Sequence, residues 1–206
     1  MEEIFIKNIV LKEKIYNILE KNYNENLSIS ELQNIKNITL QKKNIDGSEN
    51  QYTLRDFSDL KYIEHIALND FVIDDYMIDI INSLFNLKEI VFNCCEWKNT
   101  KLLNSKIKHL VITNSEINNS LFMNNSQLNK LTLIGINEIN LTDLINMKYI
   151  ESIDIYNSNI NNCYEFKNFK NLKKLNIYGT TLDNENILDE LKPNINISFD
   201  KMFFYM

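Results

Sequence analysis

The chain has 206 residues, and 44% of them are apolar, which is sufficient to bury the core of a single ordinary domain. Acidic side chains outnumber basic ones by 28 to 22, and the formal net charge is -6. Because phosphate binding relies on clustered Lys and Arg, this balance argues against a nucleic-acid partner. A local basic strip is still compatible with this overall acidic balance.

Neither a leader pattern nor a membrane span is visible in the sequence. Residues 1–20 mix charged and apolar residues throughout, and no later stretch reaches the roughly 18 apolar residues that a spanning helix needs. Cys94, Cys95 and Cys163 are an odd set with an adjacent pair, which is poor geometry for a mutual disulfide and suits a reducing compartment. We therefore expect a cytoplasmic protein; the alternative is a secreted protein that has lost its leader.

Two short helices are predicted at the N-terminal end. Leu11, Ile15 and Ile18 recur at helical spacing. Ser28 and Glu31 have the Ser-x-x-Glu form, in which the hydroxyl and the carboxylate satisfy opposite backbone donors at a helix start. Such helices would cover the first coil of a solenoid, which otherwise exposes its apolar core to water.

An apolar pattern recurs along the rest of the chain. It consists of an apolar residue, two variable residues, an apolar residue, one variable residue and a third apolar residue, with a degenerate last copy at 195–199. The complete copies are Ile35/Ile38/Leu40, Ile63/Ile66/Leu68, Leu87/Ile90/Phe92, Ile107/Leu110/Ile112, Leu128/Leu131/Leu133, Ile150/Ile153/Ile155 and Leu172/Leu175/Ile177. Their starts lie about 20 to 28 residues apart, which is the spacing of leucine-rich repeats.

Each copy predicts one short strand and one turn. The strand begins near the second apolar residue, and its alternation, as in Leu110-Val111-Ile112, buries one face. Strands of successive copies should stack in parallel, about 4.8 Å apart. Apolar residues at helical offsets between strands, such as Met77 and Ile80 or Leu141 and Leu144, predict short helical or 3-10 turns on the convex side.

Two irregularities are expected. In most copies a further apolar residue follows the third apolar position at a fixed distance. In the copy that begins at Leu128 this residue, Ile139, comes one position later, which predicts a bulge there. Leucine-rich repeats usually carry Asn or Cys three residues after the third apolar position, where it joins neighbouring coils. Because that pattern is mostly lost here, we expect less regular loops; the residues are Lys43, Phe71, Cys95, Ser115, Ile136, Ser158 and Thr180.

The segments 11–19 and 27–32, followed by Ile35, resemble the helical cap of bacterial internalin-type leucine-rich-repeat proteins, and repeats such as 150–171 resemble theirs. The resemblance implies a concave face that binds proteins. We expect an α/β leucine-rich-repeat solenoid with parallel strands on that face. It forms a single structural domain with a helical cap at 1–34, repeats at 35–199 and a tail at 200–206 that covers the last coil or docks a partner.

The repeat frame assigns the exposed strand side chains to columns on the concave face. Val91, Val111, Ile134, Tyr156 and Tyr178 form a band of apolar and aromatic side chains, which is typical of protein interfaces. The alternative is that β-branched and aromatic residues occur here because they favour strands.

The only two histidines, His65 and His109, share one column with Glu89 between them, at a predicted Cα spacing of roughly 5 Å. A metal-binding or acid–base cluster is one interpretation. However, parallel side chains on adjacent strands diverge, and no further ligand is apparent, so an exposed polar contact strip is favoured. Cys95 occupies a position where burial is usual, which indicates a structural cysteine.

We predict a non-enzymatic protein, because no set of nucleophile, base and orienting group can be assembled. We expect it to be a monomeric protein-binding module without a cofactor, a metal or a membrane partner. An intracellular inhibitor or immunity-type factor is one form of it, and a secreted or surface adhesion-type protein is the alternative. The predicted contact residues are His65, Glu89, Val91, His109, Val111, Ile134, Asp154, Tyr156 and Tyr178.

Overall fold

The computed structural model describes residues 4, 6, 8–42, 44–45, 48–49, 54–57, 60–98, 101, 103, 106–117 and 127–200. Over these residues, one eight-stranded parallel sheet confirms the predicted repeat frame. Each complete copy contributes one strand, which begins one residue before the second apolar position. The degenerate copy adds an eighth strand. The strands are Asn37–Gln41, His65–Asn69, Glu89–Asn93, His109–Thr113, Lys130–Ile134, Ser152–Tyr156, Lys174–Tyr178 and Asn196–Asp200.

The core lies behind this sheet because the side chains of each strand alternate between its two faces. In the strand His109–Thr113, Leu110 and Ile112 are buried, whereas His109, Val111 and Thr113 are only partly buried. The apolar frame residues of successive coils continue this pattern into one cluster. Hydrophobic burial, at about 25 cal/mol per Å² of apolar surface, is therefore spread along the whole solenoid.

Two helices precede the first strand, as predicted. They are α1, Ile9–Ile18, and α2, Ile29–Gln33. Leu11 and Ile15 of α1 are buried in the core, but Ile18 is 39% exposed, because the last residue of the helix reaches past the core.

The predicted capping box is present at the start of α2. Ser28 Oγ accepts a hydrogen bond from the Glu31 N–H at 3.3 Å, and the Glu31 carboxylate accepts one from the Ser28 N–H at 2.8 Å. The Lys21 ammonium also donates to Glu31, at 2.7 Å. This bond, together with the bonds from Ser28, lowers the pKa of the Glu31 carboxyl to about 2.

Helical turns lie behind the sheet on the convex side. Asp74 caps the longest of those described, accepting a hydrogen bond from the Met77 N–H at 2.8 Å, and the predicted apolar residues Met77 and Ile80 of this helix are buried. Helical segments are wider than the strand spacing of about 4.8 Å, so the sheet takes the inner, concave side. The segments are α3 (Leu54–Phe57), α4 (Asp75–Ser83), α5 (Asn186–Leu191) and the 3-10 turns Leu141–Asp143 and Cys163–Asn168.

Short strands extend the pairing beyond the main sheet. The extra residue predicted in the coil of Ile139 is present: Asn137 and Glu138 lie between Ile136 and Ile139, where the next coil has one residue. The short strands are Val72–Ile73 with Glu96–Trp97; Ile139–Asn140 with Asn159–Asn161 and Thr181–Leu182; and Asn44–Ile45 with Ser48–Glu49, the last pair antiparallel.

A ladder of buried hydroxyl groups joins successive coils at the position where the sequence led us to expect irregular loops. Ser158 Oγ accepts a hydrogen bond from the Ile136 N–H at 3.0 Å and donates one to the Tyr156 carbonyl at 2.8 Å. The Ser158 N–H in turn donates to Thr180 Oγ1 at 3.3 Å. Ser115 plays the same role for the Cys95 N–H, at 2.8 Å.

These hydroxyls replace the usual Asn, so the expectation of less regular loops is wrong where they occur. A hydroxyl both accepts and donates, which is sufficient to satisfy a buried amide of the preceding coil. Lys43 at the same position lies outside the described residues, and so does the tail from residue 201 onwards. The boundaries of the cap, the repeats and the tail stay predictions.

Candidate functional site

The strand register brings the predicted contact residues together in three columns on the concave face. One column contains His65, Glu89 and His109, which pair directly across three neighbouring strands. The neighbouring columns contain Val91, Val111 and Asp154, and then Ile134, Tyr156 and Tyr178. All nine therefore lie on one face; whether they bind a partner stays a prediction.

Two tyrosines form the most prominent aromatic feature of this face. The rings of Tyr156 and Tyr178 are stacked, with their centroids 5.7 Å apart and their planes 9° from parallel. Tyr178 is 38% exposed, and Tyr156 is half-buried between it and Ile134 of the preceding strand. Burial raises the pKa of the Tyr156 hydroxyl, and the nearby Asp154 carboxylate and Tyr178 add to that effect. The Tyr156 ring is therefore neutral at physiological pH.

The floor between the outer columns changes character along the solenoid. Val91 and Val111 are half-buried and lie side by side on adjacent strands, where they form a shallow apolar surface with Ala67. Further along the same column, Thr132, Asp154 and Asn176 are buried polar residues. The apolar band thus bends from the middle column at Val111 to the outer column at Ile134.

Asp154 differs from its predicted exposed position, because only 6% of it is accessible. Its Oδ1 accepts a hydrogen bond from Asn176 Nδ2 at 2.5 Å, and its Oδ2 lies 3.2 Å from the Lys130 ammonium. The middle column lies between longer side chains on both sides, and Lys130 extends over it from the neighbouring strand. Asp154 therefore supports the face from beneath.

The histidine column is a hydrogen-bonded strip. His109 Nδ1 lies 2.6 Å from Glu89 Oε2, and His109 Nε2 lies 2.9 Å from Thr132 Oγ1. The second carboxylate oxygen of Glu89 is 3.7 Å from His65 Nδ1. Both ring nitrogens of His109 are therefore occupied by protein groups, and among the described residues no group of three His, Cys, Asp or Glu side chains could hold a metal ion.

A cavity of about 360 Å³ lies where α1 meets the concave face, and the sequence analysis missed it. Lys14 and Ile18 of α1 form one wall, and His65, Ala67 and Val91 line the sheet side. The exposed Ile18 at the end of α1 faces this space. The apolar spacing of α1 predicted the helix but contains no information about its position relative to the sheet.

Solved structures similar to the chain share this solenoid architecture. An internalin C2 from Listeria monocytogenes is 15% identical over 97% of this chain and 99% of that chain, with a TM-score of 0.55. TLR13, solved in a complex with ssRNA13, is 15% identical over 87% of this chain and 35% of that chain, with a TM-score of 0.50. No protein-family model and no curated protein sequence matches the chain.

The fold is a leucine-rich-repeat solenoid, as in internalin C2. An internalin from the same Listeria species, inlF, is 18% identical over 93% of this chain and 74% of that chain, with a TM-score of 0.40. The likeness to internalin C2, at 15% identity, shows the solenoid fold alone.

The cysteines of this solenoid are free thiols: Cys94 is exposed, whereas Cys95 and Cys163 are buried. Burial raises the pKa of the Cys95 thiol to about 11 and that of Cys163 to about 12. Both buried thiols are therefore protonated and structural, as predicted for Cys95.

Among the helices of the described residues, none has the length and apolar character to cross a membrane.

Proposed function

We propose that this solenoid is a non-enzymatic protein-binding module that holds a partner protein against its concave face. The stacked pair of Tyr156 and Tyr178 is the observation that carries the proposal. Its rings stand beside Ile134 on a face that the fold leaves open to solvent. Tyrosine is enriched at protein interfaces, where a rigid ring buries a large area with little loss of side-chain entropy.

The surroundings of this pair support its role as an anchor. The Asp154 carboxylate is fixed by Lys130 and Asn176, so the floor beneath Tyr156 is already hydrogen-bonded without a partner. A preorganised surface loses less entropy on binding than a flexible one. The two tyrosines are therefore the proposed hot spots, and Val91 and Val111 extend the apolar contact.

The column of His65, Glu89 and His109 forms the proposed polar edge of the contact. Its side chains are held by one another and by Thr132, which leaves partly exposed donors and acceptors in fixed positions. Such a polar edge suits the margin of an interface, where hydrogen bonds set orientation more than affinity. We assign it no catalytic role, because the hydroxyl that meets His109 Nε2 belongs to Thr132, which is only 8% exposed and so lies buried beneath the face.

Within this proposal, we favour an intracellular inhibitor or immunity-type factor over a secreted adhesion protein. The free thiols support that choice, since the exposed Cys94 would be oxidised or paired in most secreted proteins. The partner is a protein, and the proposed module acts as a monomer.

Site-specific photo-crosslinking tests the proposed function. A photoreactive phenylalanine derivative replaces Tyr178 on the concave face, or Tyr164, which is 54% exposed in the convex turn Cys163–Asn168. In cells that produce the protein, the Tyr178 position should yield a defined crosslinked protein by mass spectrometry, and the Tyr164 position should not. Crosslinks to the same protein from Tyr164 alone would place the binding face elsewhere.

A further inference from the structure

Lysines are concentrated at the edge of the concave face where the strands begin. We define the lysine rim as Lys36, Lys88, Lys108, Lys130, Lys173 and Lys174, each of which immediately precedes a strand or is its first residue. The backbone keeps this edge regular: the Lys88 carbonyl accepts hydrogen bonds from the N–H groups of Lys108 at 2.8 Å and His109 at 3.1 Å. The other coils repeat this arrangement, so Lys88, Lys108 and Lys130 follow one another at the strand spacing of about 4.8 Å. The coil of Glu64 separates Lys36 from Lys88, and the coil of Glu151 separates Lys130 from Lys173.

The charges of the lysine rim are only partly neutralised within the chain. Glu64 accepts a hydrogen bond from Lys88 and lies 3.9 Å from Lys36, which holds the pKa of the Glu64 carboxyl below its usual value. The side chain of Lys173 is 70% exposed although it lies 3.0 Å from Glu151. Lys108 makes no ion pair within the described part of the chain.

The opposite edge, where the strands end, is acidic. We define the acidic rim as Asp70, Glu96, Glu116, Glu138, Asp183 and Asp200, which are all exposed and lie between the last residue of a strand and the fifth residue after it. Within this rim, Glu96 is paired with Lys98 at 3.1 Å. A five-residue strand separates the two rims, a width of about 17 Å. At about 8 Å, the Debye length at physiological ionic strength is shorter than this width. A charge on a partner that lies at one rim therefore interacts little with the charges of the other rim. Although the net charge of the chain is -6, the concave face is therefore positive along the edge where the strands begin.

We infer that the lysine rim is the docking edge for an acidic segment of the protein that occupies the concave face. Complementary charges of this kind steer association and fix the orientation of a partner across an interface. The inference rests on the proposed function, since the same protein contacts the face and the rim, and it adds the chemistry of that protein: clustered carboxylates that lie along the strand-entry edge.

Carboxylates fit the rim better than a nucleic-acid backbone does. Glu64, Glu89 and Glu151 stand among the lysines, and a continuous phosphate chain would bring a negative charge beside each of them. The carboxylates of a protein partner are separate groups. They can lie opposite the lysines of the rim without placing a negative charge opposite its glutamates. The rim also consists of lysine alone, without the arginine forks that favour planar recognition of phosphate.

The test measures the binding of a fluorescein-labelled oligoglutamate peptide, in which a glycine separates successive glutamates, by fluorescence anisotropy at low salt. The rim variant carries Lys88→Glu, Lys108→Glu and Lys173→Glu. The matched control carries Lys98→Glu, Lys167→Glu and Lys192→Glu, whose side chains are 60%, 51% and 60% exposed outside the rim. Both variants change the net charge by the same amount. We expect the parent to bind, the rim variant to bind at least about tenfold more weakly, and the control to stay within about twofold of the parent.

Three results would overturn the inference. A single-stranded oligothymidylate of equal charge that binds more tightly than oligoglutamate would indicate a nucleic acid instead. An equal loss in the control variant would show that net charge alone governs binding. Self-association of the parent in sedimentation velocity, lost in the rim variant, would mean that the lysine rim pairs with the acidic rim of a second copy.

Failure of the rim is distinguishable from failure of the proposed function. Tyr178→Ala leaves the rim intact and should bind oligoglutamate as the parent does. If the crosslinked partner is recovered from Tyr178 but oligoglutamate does not bind the parent, the proposed function stands and the lysine rim is not a docking edge. A triple variant with Gln at the three rim positions serves as the second test, should the charge-reversed variant fail to fold.

Discussion

The hydroxyl ladder allows a sharp prediction for the stability of the solenoid. Ser158 is 4% exposed, and its Oγ satisfies the Ile136 N–H, which is itself buried in the preceding coil. Ser158→Ala removes this acceptor and leaves a buried N–H without a partner. The Tyr156 carbonyl loses the Ser158 donor but keeps the bond from the Gly135 N–H at 2.9 Å. The cost is therefore dominated by one orphaned amide, about 1 to 3 kcal/mol.

Urea denaturation followed by circular dichroism measures this loss. Ser152→Ala is the matched control, because it makes the same change in the same coil on the partly exposed concave face. It should alter the unfolding free energy by less than about 0.5 kcal/mol. Ser158→Thr should retain most of the stability of the parent, since Thr180 occupies the equivalent position in the next coil and makes the same contacts. Equal midpoints for Ser158→Ala and Ser152→Ala would refute the energetic role of the ladder.

Further predictions concern the core, the cap and the thiols. Leu131→Ala should lower the unfolding free energy by about 2 to 5 kcal/mol, and His65→Ala by less than about 1, in denaturant melts; the reverse order would contradict the repeat frame. The folded-state pKa of Glu31, about 2, is below its ordinary value of 4.5, so its stabilisation of α2 is present above pH 4.5 and lost as the pH falls towards 2. An NMR titration of the Glu31 carboxyl carbon should show that low midpoint, and a normal midpoint would contradict the hydrogen bonds that Glu31 accepts from Lys21 and Ser28. Of the 3 cysteines, only the exposed Cys94 should react rapidly with Ellman's reagent at neutral pH, and all should react in denaturant; rapid reaction of Cys95 or Cys163 in the folded protein would contradict their burial.

The features predicted well from the sequence depend on short-range periodicity. Strand alternation at period two determines which face a residue such as Val111 occupies, and the alignment of the apolar pattern between successive repeats determines its neighbours Val91 and Thr132. The Ser28–Glu31 box was recognisable because its hydrogen bonds are confined to four consecutive residues. These relations require no knowledge of distant contacts.

The features that were missed depend on contacts between coils. Burial of Asp154 results from the reach of Lys130 and Asn176 across neighbouring strands, which a column assignment does not include. Serine is common in loops as well, so the ladder role of Ser158 becomes visible only when Ile136 is seen to approach it. The cavity beside α1 depends on the position of that helix relative to the sheet, which its amphipathic pattern does not encode.

The affinity of the crosslinked partner for the tyrosine variants tests the central claim most directly. Isothermal titration calorimetry would compare the parent with Tyr156→Ala, Tyr178→Ala and the convex-side control Lys170→Ala. Truncation of a true anchor costs more than about 2 kcal/mol, which is about thirtyfold in affinity, so both tyrosine variants should bind at least that much more weakly while Lys170→Ala binds as the parent does. If both tyrosine variants keep the affinity of the parent and Lys170→Ala loses it, the concave band is a strand-propensity pattern and the partner binds another face.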